Sequence, residues 1–412
     1  MSGVGPTAAH ERLALLDVVR GFTLYGVLLA NTVVNFNGRG LLPMREALAR
    51  NSKADEVARV VLMVLVHGKF QTLLTFLFGL GFAFQLARSE KLGRSVVPLF
   101  LRRLAVLFLI GVSHVVLLWW GDVLWGYALV GGALLLFRRR SDRALLIWAA
   151  ALVFIPQILR AIPPVSAFVE RLMPGPRDRV AFRAELFATL SSGYDFTHLV
   201  RMQVLRGFYF FMAGAPWYIP WMLGRFLLGY VVGRKRLLHE TAAHLPLWRK
   251  LLKWGLGTGL AGGLAQATAS TYVRRGGTLS PWWELALALP DEAGVIAMSL
   301  AYLAALVLLM QKPVWQRRLM VLAPAGQMAL TNYVAQSLVS TFIFNGWGLG
   351  LIGRVGAALC IPLTVAIFAA QIAFSKAWLR YFQFGPLEWL WRSLTYGKRQ
   401  AMRRAVAAPA IP

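Results

Sequence analysis

Two groups able to move a proton stand close together in the run His114–Asp122 (HVVLLWWGD). The run reads as the outer half of an apolar helix ending in a tight turn at Gly121, so the chain can fold back and bring imidazole to carboxylate. A carboxylate beside an imidazole raises its basicity and fixes its tautomer, which is what general-base catalysis needs. The plainer reading is a structural His–Asp pair, with Trp119 and Trp120 as anchors at the membrane interface.

Other ionisable and amide residues lie in apolar stretches, where they are costly and need partners. Asp17 and Arg20 are three apart on the first apolar helix, so they can pair on one face. Arg20 and Asn31 are about three turns apart and share a face that must look into the bundle or a cavity. The run His67-Gly68-Lys69-Phe70 sits at the outer end of the second helix. Lys69 either snorkels to the interface or offers a cation to an anionic or carbonyl substrate. Thr331, Asn332 and Gln336 fall in a mid-membrane segment, with Asn332 and Gln336 one turn apart on one face. They can stabilise an oxyanion, bind sugar hydroxyls, or lock helices together. Asn31, Lys69, His114, Asp122 and Gln336 all belong to the outer half of the membrane, whereas Arg20 and the basic loops lie on the cytoplasmic side.

The elements that must position these residues are membrane helices. Of 412 residues, 58% are hydrophobic and 15% are charged, against about 45–50% and about 25% in soluble domains. The apolar residues come in blocks of roughly 20, the length that crosses a bilayer core. Ten spans are expected, near Leu15–Phe36, Phe70–Ala87, Val97–Trp119, Val123–Phe137, Ala144–Ile162, Trp217–Val232, Leu251–Ala269, Gly294–Gln311, Leu322–Phe344 and Ile352–Ala373. Gly255, Gly259 and Gly263 recur every fourth residue, a spacing that suits close helix packing in lipid. The first stretch is read as a retained helix and not a cleaved signal, because Asp17 and Arg20 interrupt it.

The net charge of +27 is carried mostly by short loops, such as Arg138-Arg139-Arg140 and Arg234-Lys235-Arg236. Basic loops alternate with tiny, neutral or mixed ones, as N-in, C-in topology with ten spans requires. The lipid bilayer is therefore the expected partner of this charge, and nucleic acid is not. Residues 163–214 read as an outer-face loop of amphipathic helices between spans five and six. Residues 381–412 read as a cytoplasmic interfacial tail, and the whole of 1–412 as one polytopic domain. Cys360, the single cysteine, permits neither an internal disulfide nor a cysteine zinc cluster, and no metal site is expected. The patterns GxxxxGK[ST], HExxH and GxSxG are absent, which disfavours an ATP-driven pump, a zinc protease and a serine hydrolase.

The segments LLDVVRGFTLYGVLLANTVV, GKFQTLLTFLFGLGF, GVSHVVLLWWGDVLWGYALVG, GQMALTNYVAQSLVSTFIF and FGPLEWLWRSLTYG, in that order along nearly the whole chain, resemble the YeiB-like family, domain of unknown function 418. The resemblance implies a multi-pass protein of the bacterial inner membrane. That family is similar in turn to the transmembrane acyltransferases, among them the acyltransferase-3 proteins and heparan glucosaminide acetyltransferase. The wider resemblance implies transfer of an acyl group from cytoplasmic acyl-CoA, as donor substrate with no bound cofactor, to a lipid-linked or periplasmic hydroxyl or amine acceptor such as a sugar. The acyltransferase-3 pattern has an Arg followed eleven residues later by a catalytic His. Arg20 matches the Arg, but Asn31 stands in the His position, so another base is needed.

The expected roles are therefore His114 as base oriented by Asp122, with His67 as its alternative. Lys69, Asn332 and Gln336 are expected at the acceptor or oxyanion, with Asn31 on the face shared with Arg20. Arg20, Arg102 and Arg103 are expected to attract the donor's phosphates. The competing expectations are a transporter or flippase, for which neither broken helices nor inverted repeats stand out, and a non-catalytic scaffold.

Overall fold

The computed structural model describes residues 14–173, 175–176, 178–192 and 195–404. Helices dominate, and one isolated antiparallel bridge joins Phe382 to Arg403. In chain order they begin with α1 (Ala14–Asn31), which runs on into a π turn over Thr32–Phe36, then α2 (Met44–Ala49), α3 (Lys53–Leu65), α4 (Lys69–Lys91), α5 (Val97–Leu117), α6 (Leu124–Gly131) and α7 (Leu134–Phe137). Next come α8 (Asp142–Ala161), α9 (Pro163–Leu172), α10 (Arg179–Ser192), α11 (Phe196–Arg234), α12 (Leu245–Arg274) and α13 (Pro281–Met310). The last are α14 (Pro313–Leu319), α15 (Ala323–Gln327), α16 (Ala329–Phe344), α17 (Ala357–Tyr381) and α18 (Pro386–Tyr396).

Among the described residues, six helical segments are long and apolar enough to cross a membrane: Ala14–Leu41, Lys53–Lys91, Val97–Leu117, Asp142–Ala161, Pro281–Met310 and Ala357–Tyr381. The other four expected spans fall on the shorter α6 and α7, inside α11, inside α12, and across α15 and α16. Outward-facing Leu109, Leu136 and Leu359 are 63%, 75% and 65% exposed, a surface that suits lipid and not water.

Three features differ from the sequence expectation. The second span is preceded by α3, whose charges Lys53, Asp55, Glu56 and Arg59 hid it. Ser52 starts that helix with a capping box, its hydroxyl accepting from the Asp55 N–H while the Asp55 carboxylate accepts from the Ser52 N–H. Gly68, at φ 75°, then breaks α3 from α4, a left-handed conformation that glycine adopts without penalty. The segment 163–214 is largely helical, and from Phe196 it continues unbroken into the residues expected as span six. The ninth span is split at Met328, so Thr331 lies in the first turn of α16. Residues 405–412 of the expected tail lie outside the described residues.

Helix contact relies on small residues, as expected where lipid supplies no hydrophobic drive for association. Gly79 of α4 meets the Phe226 backbone of α11, and Gly229 of α11 meets the Phe76 backbone of α4. Gly255 and Gly259 press α12 onto Ala297 and Met298 of α13, whereas Gly263 faces Val64 of α3. Cys360 is fully buried among the apolar side chains around Phe36 and Trp119.

Candidate functional site

The His114–Asp122 approach is built by the turn between α5 and α6. Gly111, one turn before His114, lets the start of α6 close in, since a Cβ there would meet the Trp125 backbone and the Asp122 carboxylate. Asp122 Oδ2 accepts the backbone N–H groups of Leu124 (2.8 Å) and Trp125 (3.1 Å). These are free donors at the start of a helix, where a carboxylate also meets the positive end of the dipole. The remaining oxygen, Oδ1, lies 2.9 Å from His114 Nδ1. Gln203 of α11 holds the turn by accepting from the Trp120 N–H and donating to the Leu118 carbonyl.

Both groups are buried, His114 at 3% exposure and Asp122 at 8%. His114 Nε2 is buried and has no hydrogen-bond partner among the described residues. Trp119 and Trp120 are buried too and do not act as interface anchors. Trp119 packs on Phe36, and Trp120 lies against Phe210 and under the Arg206 guanidinium.

Two cavities approach this pair from opposite ends of the bundle. The lower one, of about 290 Å³, opens around the N-terminal half of α1 and is lined by Arg20, Leu24, Arg103, Glu388 and Arg392. The upper one, of about 820 Å³, opens around the C-terminal half of α1 and is lined by Asn31, His67, Gln71, Arg225, Asp291 and Glu292. Leu74 and Tyr333 line both. Tyr333 is buried, with its hydroxyl near the Val123 N–H (3.4 Å) and its ring 5.5 Å from that of His114. His114 and Asp122 themselves line neither cavity; Tyr333 stands between them and the open space.

At the lower cavity, Arg20 pairs with Asp17 at 3.0 Å, the expected i, i+3 pair. Arg103 carries its guanidinium 4.2 Å above the Trp391 ring, and its carbonyl accepts from the Trp391 indole N–H. Glu388 of α18 accepts from the Leu330 N–H, the Thr331 N–H and the Thr331 hydroxyl, at 2.6, 3.0 and 2.6 Å, which caps the start of α16. Burial pushes the Glu388 carboxyl above its ordinary range, and these donors pull the other way without cancelling the rise. The α18 helix thus docks on the bundle as a floor to the cavity. Arg102 points elsewhere, exposed and near Gly397.

The upper cavity contains a buried ion pair that sequence reasoning missed. Arg225 of α11 is fully buried, pairs with Glu292 of α13, donates to Thr72 Oγ1 at 2.9 Å and lies 3.7 Å over Trp221. The signal was present as charges inside apolar helices, but its partner lies 67 residues away in sequence. His67 is exposed and reaches this cavity. Lys69 does not snorkel: it is 2% exposed and donates to the Met63 carbonyl at 2.9 Å, across the α3–α4 break. Asn332 and Gln336 line neither cavity. Asn332 donates to Ala325 O and Ser375 Oγ, Gln336 donates to Gln371 Oε1, and Gln371 donates to Asn332 O, which ties α15, α16 and α17 together. Among the described residues, no three His, Cys, Asp or Glu side chains are grouped so as to hold a metal.

Residues 232–398 match the family model described as "Protein of unknown function (DUF418)". The chain is 32% identical over 411 residues to the uncharacterized protein YxaH of Bacillus subtilis (strain 168), covering 96% of this chain and 97% of that one. It is 29% identical to an uncharacterized 39.9 kDa protein in the amylase 3' region of Bacillus acidopullulyticus, covering 96% of each. Against the uncharacterized protein YeiB of Escherichia coli (strain K12) it is 26% identical, covering 93% of this chain and 96% of that one. No solved structure matches the chain.

Proposed function

This chain belongs to the YeiB-like DUF418 family, and we propose that it transfers an acyl group across the inner membrane, from cytoplasmic acyl-CoA to a hydroxyl or amine acceptor reached from outside. In this reading the chain spans the membrane ten times with both termini inside. The basic loops then put the lower cavity on the cytoplasmic side and the upper cavity outside. The observation that carries the proposal is the sharing of Tyr333 and Leu74 by the two cavities, with the buried His114–Asp122 pair directly behind Tyr333. A donor and an acceptor entering from opposite sides would meet there.

The chemistry follows from the pair's hydrogen bonding. A neutral imidazole that donates Nδ1–H to Asp122 keeps a lone pair on Nε2, the atom left without a partner. When Tyr333 yields, Nε2 takes the acceptor's proton as its oxygen or nitrogen attacks the thioester carbonyl. The new C–O or C–N bond forms, the C–S bond breaks, and the departing CoA thiolate takes up the proton from the imidazolium. The lower cavity is smaller than a whole CoA ester. It takes the acyl-bearing end, while Arg20, Arg103 and Arg392 attract the phosphates at its mouth and Arg102 adds to the field from outside it. Asn31 and His67 face the acceptor. Asn332, Gln336 and Lys69 hold helices in place.

The test is label transfer. Membrane vesicles containing the protein receive radiolabelled acetyl-CoA on the cytoplasmic side, and label is followed into the lipid and soluble outer fractions. The expected result is incorporation that His114→Ala lowers by about 10²–10⁴-fold. Incorporation at the level of vesicles lacking the protein would remove the enzymatic reading.

A second reading is transport of a small anionic or lipid-linked substrate, and one observation favours it. Helices α3 and α4 are interrupted at Val66–Gly68, with buried Lys69 bonded across the gap, and discontinuous helices of this kind mark transporter binding sites.

A further inference from the structure

Away from both cavities, a slot of about 300 Å³ opens between α3, the end of α12 and the residues following α2. Arg59, Arg274 and Arg275 converge on it, and among the described residues lining it Glu56 is the one acid. The guanidiniums of Arg274 and Arg275 lie near enough to Arg59 to act on it electrostatically. Part of the arrangement has a plain explanation: Arg274 and Arg275 close α12, where cations complement the helix dipole, and Arg59 donates to Thr271 Oγ1 at 3.3 Å. That explanation leaves Arg59 Nη1 and Arg274 Nε buried with no hydrogen-bond partner among the described residues. Guanidiniums from two different helices thus line one slot with an excess of positive charge, a setting that favours an anion with several acceptor oxygens.

The rest of the lining says what kind of anion. Val57 and Val61, on the same helix as Arg59, line the slot and are 64% and 43% exposed. A cationic wall therefore adjoins an apolar stripe directed at the surroundings of the bundle. We propose that this slot binds a phosphate group, and that the phosphate is the headgroup of a phospholipid whose acyl chain lies along Val57 and Val61. Arg59 and Arg274 contact the phosphate oxygens, and Arg275 adds charge at the mouth. The site lies at the same end of the bundle as Asn31, is independent of the acyl-transfer reading, and stands or falls separately from it.

The experiment is native mass spectrometry of the full chain in a neutral detergent, titrated separately with phosphatidylglycerol, with diacylglycerol of the same chains, and with inorganic phosphate. Wild type should retain phosphatidylglycerol saturably and discriminate against diacylglycerol. Arg59→Gln combined with Arg274→Gln should weaken that retention at least about tenfold. Arg275→Gln alters an exposed side chain at a helix end, so it leaves folding intact and should weaken retention by a smaller factor. Should the double variant fail to fold, Arg275→Gln decides the matter alone. Binding of inorganic phosphate that is lost in the same variants and blocks the lipid supports the phosphate site. Phosphate binding without lipid binding overturns the lipid assignment. Equal retention of phosphatidylglycerol by wild type and variants, or equal retention of diacylglycerol, overturns the site.

Discussion

The rings of His114 and Tyr333 lie 5.5 Å apart, inclined at 47°, and Tyr333 alone of the two reaches the cavities. The imidazole is held from behind by Asp122 and screened in front by Tyr333. In the proposed reaction, His114 would meet neither water nor substrate until Tyr333 shifts, which would guard a thioester from hydrolysis.

His114→Ala should therefore lower acyl transfer by about 10²–10⁴-fold, the usual worth of a positioned base, while the protein stays monodisperse on size exclusion. Asp122 has a second duty at the start of α6. Asp122→Asn keeps an oxygen for the Leu124 and Trp125 N–H groups and should mainly reduce turnover. Asp122→Ala should also cost about 1 kcal/mol of stability through the lost cap. Turnover assays paired with thermal unfolding separate the two effects.

The Arg225–Glu292 pair is buried between α11 and α13. Glu292→Gln or Arg225→Met alone strands one charge and should destabilise by about 3–5 kcal/mol. The double variant Arg225→Met/Glu292→Gln should recover part of that loss. A double variant as unstable as the sum of the singles would mean that the two side chains act independently.

Gly79 and Gly229 each rest on the backbone of the opposite helix. Ala at either position forces α4 and α11 apart and should cost about 1–3 kcal/mol, and Leu should abolish the folded peak in fluorescence-detected size exclusion. A normal Leu variant would show that the two helices do not need this contact.

Glu388 gives a pH signature outside the spans. Its carboxyl sits above the ordinary value of 4.5 in the folded protein because burial disfavours the anion. The folded state thus binds the proton more readily than the unfolded one, and the stabilisation is fully present below the unfolded value. It is lost as pH rises through the raised folded value. Glu388→Gln, which cannot ionise, should gain in melting temperature relative to wild type as pH is raised from 4 to 8. A difference that stays flat or runs the other way would place the anion, and not the acid, in the folded protein.

What could be read in the sequence was local. Asp17–Arg20 needs only the helix repeat, and His114–Asp122 needs only two helix ends joined by a turn containing Gly121. The glycine spacing on α12 announced a close contact, though not that Gly263 would face α3 and not α13. Long-range relationships were not legible. Arg225 meets Glu292 through the packing of two helices far apart in sequence. Asn332 and Gln336 were visible as polar residues in an apolar run, yet whether they face a cavity or Gln371 depends on which helix is next door. Helix α3 escaped notice because its charges mask an apolar face, and the break after it depends on the backbone of Gly68. Tyr333 gave no signal, since an aromatic residue in a membrane helix is ordinary until the cavities on either side of it are known.

Whether the lower cavity receives an acyl-CoA is tested most directly by thermal unfolding of the detergent-purified protein titrated with acetyl-CoA, longer acyl-CoA esters and free CoA. A saturable stabilisation is expected, about 2.7 kcal/mol at a hundredfold excess over Kd, and Arg20→Ala and Arg103→Ala should each weaken it. Folded protein that responds to no CoA ester would contradict this expectation and shift the weight to transport.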